Sequence, residues 1–153
     1  MSFAVDTNVL LRSIDEGHPA QMIAQNGLRA LRRQRETLYI FPQNLIEFWA
    51  VATRPKANNG LGWGIERAQQ ELQNLKNLFV VLADTDAILP EWERLVVQYR
   101  VSGKQAHDAR LVAAMNVHNL TQLLTFNTSD FKRFTGITAV NPESFLLDDG
   151  ENK

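Results

Sequence analysis

The chain of 153 residues is 44% hydrophobic and 22% charged, with 16 basic against 17 acidic side chains and no cysteine. That mix gives one domain with a substantial core and excludes disordered and fibrous architectures. The missing thiols exclude a disulfide framework, a thiolate metal centre and a cysteine nucleophile, and a formal net charge of −1 excludes nucleic-acid binding by bulk electrostatics alone.

The first six residues lack a basic leader with a long apolar run, and no stretch approaches the roughly 18 apolar residues of a membrane span. A cytoplasmic location without membrane association is expected. Phe3, Ala4 and Val5 read as a short buried strand that stops at Asp6-Thr7-Asn8. His18-Pro19 opens a helix reaching Gln34, with Pro19 near the first turn, where a missing N–H costs little. Residues 38–41 are a second strand ended by Pro42, and a helix over 43–53 stops at Arg54-Pro55. Residues 54–64 form a long loop, whose stretch 58–64 is either a mobile flap over substrate or a plain connection. The pattern then predicts a helix over 65–78, a strand over 79–82, and a helix capped by Thr85 reaching Tyr99 with a kink at Pro90. A helix over 106–117, a strand over 122–126, a short helix over 130–134 and a strand over 137–140 complete the expected domain, residues 1–146, before a polar tail at 147–153.

Short strands separated by helices imply βαβ units: an α/β, three-layer α/β/α fold with a mostly parallel central sheet. Ligands in such sheets bind beyond the carboxyl ends of the strands. Asp6 directly follows the first strand, and Asn127 and Asp130 follow the strand ending at Phe126. Asp108 lies in the first turn of its helix, and Glu47 lies beside Asn44 on a helix whose apolar face is Leu45, Phe48, Trp49 and Ala52. Taken singly, these are ordinary: a helix cap, a solvated acid, a macrodipole partner, a turn. Taken together, carboxylates converging at one edge repel, and a hard divalent cation relieves the conflict. Such an ion can activate water and stabilise charge on a phosphodiester. Arg12, Arg54, Lys104, Arg110, Lys132 and Arg133 are candidate phosphate contacts, while Arg29, Arg32, Arg33 and Arg35 read as a solvated helix face.

Four segments, Val5-Asp6-Thr7-Asn8-Val9-Leu10, Asn44-Leu45-Ile46-Glu47-Phe48-Trp49, His107-Asp108-Ala109-Arg110-Leu111 and Leu124-Thr125-Phe126-Asn127-Thr128-Ser129-Asp130-Phe131, occur in this order. Together they resemble the PIN-domain ribonucleases, and more closely the VapC-type toxins of toxin–antitoxin pairs, over about residues 3–142. The resemblance implies a PIN-like fold and an endoribonuclease dependent on magnesium or manganese (Mg2+ or Mn2+), leaving 5′-phosphate and 3′-hydroxyl ends on RNA. It implies Asp6 and Asp108 as the main metal-binding acids, Glu47 as an acid orienting metal or water, and Thr7, Asn8, Thr125 and Asn127 as supports. Many members carry an acid two residues after the threonine matching Thr125; here that place holds Asn127, and Asp130 supplies a carboxylate three positions later. Asp130 is therefore a fourth candidate for catalysis and metal binding, with Lys104 and Arg110 as candidate substrate contacts. The family resemblance further implies a small antitoxin partner covering the cleft, and a homodimer. Trp49, Trp63 and Trp92 serve either such interfaces or the core.

Other chemistries fit less well. His18, His107-Asp108 and His118 suggest an H…HD…D phosphohydrolase, but that fold is all-helical. A haloacid-dehalogenase-like site would need an acid where Asn8 stands, and no glycine-rich phosphate loop is present. The remaining alternative is a catalytically silent PIN-like module that binds RNA or a protein.

Overall fold

The computed structural model describes residues 2–145, so the expected tail at 147–153 lies outside the described residues. Its strands are β1 (Ser2–Val5), β2 (Thr37–Ile40), β3 (Val80–Val81), β4 (Gln122–Leu124) and β5 (Thr138–Val140). They form one sheet in the order β3-β2-β1-β4-β5, and every adjacent pair is parallel. The expected mostly parallel sheet is thus wholly parallel. Its helices are α1 (Thr7–Ser13), α2 (Gln21–Arg33), α3 (Pro42–Thr53), α4 (Ile65–Leu78), α5 (Ile88–Gln98) and α6 (Gln105–Val117).

Alternation along the strands builds the layers. Phe3 and Val5 of β1, Leu38 and Ile40 of β2 and Leu124 of β4 pack with α1 to α4 in one core. Ala4 and Leu123 turn to the other face and pack with α5 and α6. From β1 the chain crosses the first face to β2, while β4, on the other side of β1, is reached from β3 through α5 and α6. The carboxyl ends of β1 and β4 therefore flank the point where the winding reverses, which is where open α/β sheets leave a crevice. No helix among the described residues is long and apolar enough to cross a membrane.

Several boundaries differ from expectation for local reasons. Asp6 does cap a helix, as its sequence suggests, but α1 itself was not foreseen, because seven residues with a continuous Val9-Leu10-Leu11 run carry no clear helical period. Pro19 lies in the turn before α2, which starts at Gln21. Pro90 is the third residue of α5, where the backbone N–H has no partner within the helix, so no kink is required; α5 starts at Ile88 rather than after Thr85. The strands expected at 79–82 and 122–126 shorten to Val80–Val81 and Gln122–Leu124, and the short helix expected at 130–134 is a 3₁₀ turn at Thr128–Phe131. Further 3₁₀ turns occur at Lys56–Asn58 and Pro142–Phe145, the latter lying so close to α2 that a Cβ on Gly27 would sit 3.0 Å from Pro142 Cβ.

The long loop closes the end of α3. The N–H groups of Leu61, Gly62 and Trp63 donate to the carbonyls of Val51, Arg54 and Ala52 at 3.0, 2.9 and 2.9 Å. Trp63 then packs edge-on against buried Phe48, at 6.1 Å between ring centres, with the Arg67 guanidinium 4.1 Å from the Trp63 ring centre. Trp63 and Trp92 both pack against the cores.

Candidate active site

Each acid reaches the crevice through its own element. In β1 and β4, Val5 stands opposite Leu124, so Asp6 and Thr125 emerge side by side; the Asp6 N–H donates to the Leu124 carbonyl at 2.9 Å. As the cap of α1, Asp6 Oδ1 accepts from the Thr7 N–H at 2.8 Å, and its Oδ2 accepts from the buried Thr125 hydroxyl at 2.8 Å. Asn8 and Asn127 brace that threonine: Asn8 Nδ2 donates to Thr125 Oγ1 at 3.3 Å and the Asn127 N–H at 3.1 Å. Asn8 Oδ1 also accepts from the Phe126 N–H at 3.3 Å.

Helix α3 starts immediately after β2, with Pro42 in its first turn, and sends Gln43, Asn44 and Glu47 to the same place. The Thr7 hydroxyl donates to Glu47 Oε1 at 2.8 Å while accepting from Asn44 Nδ2 at 3.1 Å. Asn44 Oδ1 accepts from the Phe41 N–H at 2.8 Å, so this fully buried amide ties the start of α3 to α1. Gln43 spans to α6: its Nε2 donates to the His107 carbonyl at 2.8 Å and more weakly to Glu47 Oε2 at 3.4 Å. Gln43 and Asn44 are buried polar residues absent from the sequence-derived candidates; the signal was two amides in the first turn of a helix that directly follows a buried strand.

The electrostatics follow from this crowding. Burial pushes the Asp6 carboxyl up to about 6; hydrogen bonds from Thr125 and Thr7 pull against that rise, and the charges of Glu47 and Asp108 add to it. Burial likewise pushes Asp108 up to about 6, reinforced by Asp130 and then Glu47, and opposed by His107 and Arg133. Asp6, Glu47, Asp108 and Asp130 thus share one field. Among the described residues, however, no three His, Cys, Asp or Glu side chains stand close enough to enclose an ion by themselves.

The basic candidates divide. Arg133 lies within electrostatic reach of Asp108 and donates to the Tyr99 carbonyl and to Gln105 Oε1. Arg110 is held by protein partners, donating to Gln43 Oε1 at 3.0 Å and pairing with Asp84 Oδ2 at 3.2 Å. Lys104 is exposed at the cap of α6 and, among the described residues, has no hydrogen bond or ion pair to Asp6, Glu47, Asp108 or Asp130. Arg12 pairs with Asp15 at 2.9 Å.

A family model described as the PIN domain matches residues 3–137. Among solved structures, the chain is similar to VapBC2 from Rickettsia felis bound to a DNA fragment from its promoter, at 18% identity and a TM-score of 0.70, covering 92% of this chain and 98% of that one. It is also similar to VapBC-1 from nontypeable Haemophilus influenzae, at 14% identity and a TM-score of 0.70, covering 93% and 98%. A third likeness is to Mycobacterium tuberculosis VapC20, a sarcin-ricin loop cleaving toxin, at 18% identity and a TM-score of 0.56, covering 79% and 86%. A search of curated proteins gave no significant match. With the family model spanning most of its length, and with acids gathered where its parallel sheet reverses winding, the chain belongs to the PIN-domain family.

Proposed function

We propose that the chain is a divalent-cation-dependent endoribonuclease that hydrolyses RNA phosphodiester bonds and serves, in the cytoplasm, as the toxin of a toxin–antitoxin pair. The observation that carries the reading is the electrostatic coupling of Asp6, Glu47 and Asp108, brought from three elements to one crevice. The similarity to VapBC complexes and to a toxin that cleaves the sarcin-ricin loop supports an RNA substrate and a small antitoxin partner. A homodimer is part of the same reading.

The donor set fits magnesium or manganese. Magnesium is usually held by one or two carboxylates and keeps several waters, which suits a site where two carboxyls are pushed up by burial and by neighbouring acids without a closed cage. Asp6 and Asp108 would hold the ion, with Asp130 beside Asp108. When bound, the ion lowers the pKa of water and offsets charge building on the phosphodiester. The protein's own part is orientation. Thr125 and the Thr7 N–H each fix one oxygen of Asp6. Glu47, engaged by the Thr7 hydroxyl and by Gln43, adds negative charge behind the two ligand acids and can accept a proton from water. Gln43 locks the start of α6, and so Asp108, to α3. Arg133 places positive charge next to Asp108, where an incoming phosphate is drawn.

The purified chain should cleave RNA with Mg2+ or Mn2+, leave 5′-phosphate ends, stop in chelator and lose activity in Asp6→Asn. Cleavage that survives both chelator and that substitution refutes the mechanism. A folded wild type that binds RNA without cutting it supports the silent-module alternative instead.

A further inference from the structure

A second built feature adjoins the acids. Between the amino ends of α5 and α6 lies a cavity of about 390 Å³, walled by Ile88, Leu89 and Trp92 and rimmed by Asp84, His107 and Arg110. Its rim is part of the site network, because Gln43 donates to the His107 carbonyl at 2.8 Å and accepts from Arg110 at 3.0 Å. His107 immediately precedes Asp108, so their Cα atoms are about 3.8 Å apart. The Trp92 indole is fixed by its N–H donating to the Ala106 carbonyl at 2.8 Å, and Leu89 is left 61% exposed. A wall of Ile88, Leu89 and the Trp92 ring offers nothing to a phosphate but suits a flat apolar face.

We propose, resting on the nuclease reading above, that this cavity takes one base of the RNA strand and favours guanine. The volume lies in the range of about 300–1,000 Å³ common to small-ligand sites. Single-stranded RNA is read by splaying bases onto aromatic or guanidinium planes and hydrogen-bonding their Watson–Crick edges. With the sugar–phosphate backbone over Asp6 and Asp108, the neighbouring base reaches the Trp92 wall. The rim then offers a donor beside a two-oxygen acceptor: Arg110 and Asp84 pair at 3.2 Å, yet their side chains remain 35% and 44% exposed. Guanine presents the complement, O6 as acceptor followed by the N1–H and N2–H donors. Adenine and cytosine offer the carboxylate one donor group, and uracil only its N3–H.

The test is a titration of the full chain in chelator, following the Trp92 indole N–H signal by NMR, with Trp92→Phe to assign it. The probes are GMP, AMP, CMP, UMP and ribose 5-phosphate. GMP should shift the signal at the lowest concentration and ribose 5-phosphate should leave it unmoved. Leu89→Asp, at an exposed position, should weaken GMP at least tenfold, and Asp84→Asn should erase the preference for GMP over AMP. In cleavage assays Leu89→Asp should raise KM for RNA with kcat changed less than about twofold. Equal response to ribose 5-phosphate, or indifference to Leu89→Asp, overturns the proposal. RNA cleavage with an unresponsive Trp92 overturns the base site alone. A nucleotide-responsive Trp92 in a chain that never cuts RNA upholds the base site and sinks the nuclease reading.

Discussion

Asp6→Asn should make the cation-free protein more stable as well as inactive. The folded state raises the Asp6 carboxyl from 3.8 to about 6, so the ionised form is disfavoured by about 3 kcal/mol at pH 8. The sign follows from linkage: between these two values the folded chain binds more protons than the unfolded one, so stability falls as pH rises through about 6. Asparagine removes that penalty. Its carbonyl still accepts from the Thr7 N–H, but its amide faces the Thr125 hydroxyl, whose hydrogen loses its acceptor at a cost of about 1 kcal/mol. The net gain at pH 8 is about 2 kcal/mol, a shift of about 1 M in the urea midpoint for a domain of this size. At pH 4 the charge contribution shrinks to about 0.5 kcal/mol, and the variant should become the less stable of the two. Urea unfolding in chelator at both pH values measures this. A variant less stable than wild type at pH 8, or a gain that does not vary with pH, refutes the claim that Asp6 is held ionised against its surroundings.

The same protons compete with cations. Mn2+ affinity, measured by calorimetry, should fall at least tenfold from pH 7.5 to pH 5 as Asp6 and Asp108 protonate near 6, and constant affinity would remove both from the ligand set. Arg100, at φ 51, follows the end of α5 in the left-handed region, and the Val101 N–H behind it closes on the Val96 carbonyl at 3.0 Å. Arg100→Gly should therefore stabilise the chain by about 0.5–1 kcal/mol in urea unfolding with cleavage unchanged. Gly60 lies so close to the end of α3 that a Cβ would fall 2.0 Å from the Arg54 carbonyl oxygen, a clash with backbone. Gly60→Ala should destabilise by about 1–3 kcal/mol, lowering the thermal midpoint while cleavage per folded molecule is retained.

What the sequence disclosed about this site depends on how far each contact reaches along the chain. Asp6 was legible because an apolar triplet ends on it, and strand ends are where parallel sheets expose ligand-binding groups. Glu47 was legible as lying off the apolar face of α3, but its partner, the Thr7 hydroxyl, is 40 residues away, and no local pattern encodes that meeting. The same holds for Gln43, whose bonds run to His107 and Arg110, 64 and 67 residues on. Arg110 pairs with Asp84 rather than with Asp108 for a reason helical geometry already contains. Two residues along a helix turn the side chain by about 200°, so a base two positions after Asp108 leans away from it and meets Asp84 instead. Helix α1 escaped notice because seven residues are too few for a period, although its capping aspartate was in plain view. That helix shows why the two levels cannot be separated. Asp6 caps α1 with Oδ1 and fixes Thr125 with Oδ2, so the carboxylate that orders the first turn of the chain is also the one whose charge the crevice strains against. A cap at that position need not be charged, since asparagine or serine serves as well. The residue is an acid, half-buried among other acids, and that excess over what folding requires is the part of the structure that answers to chemistry.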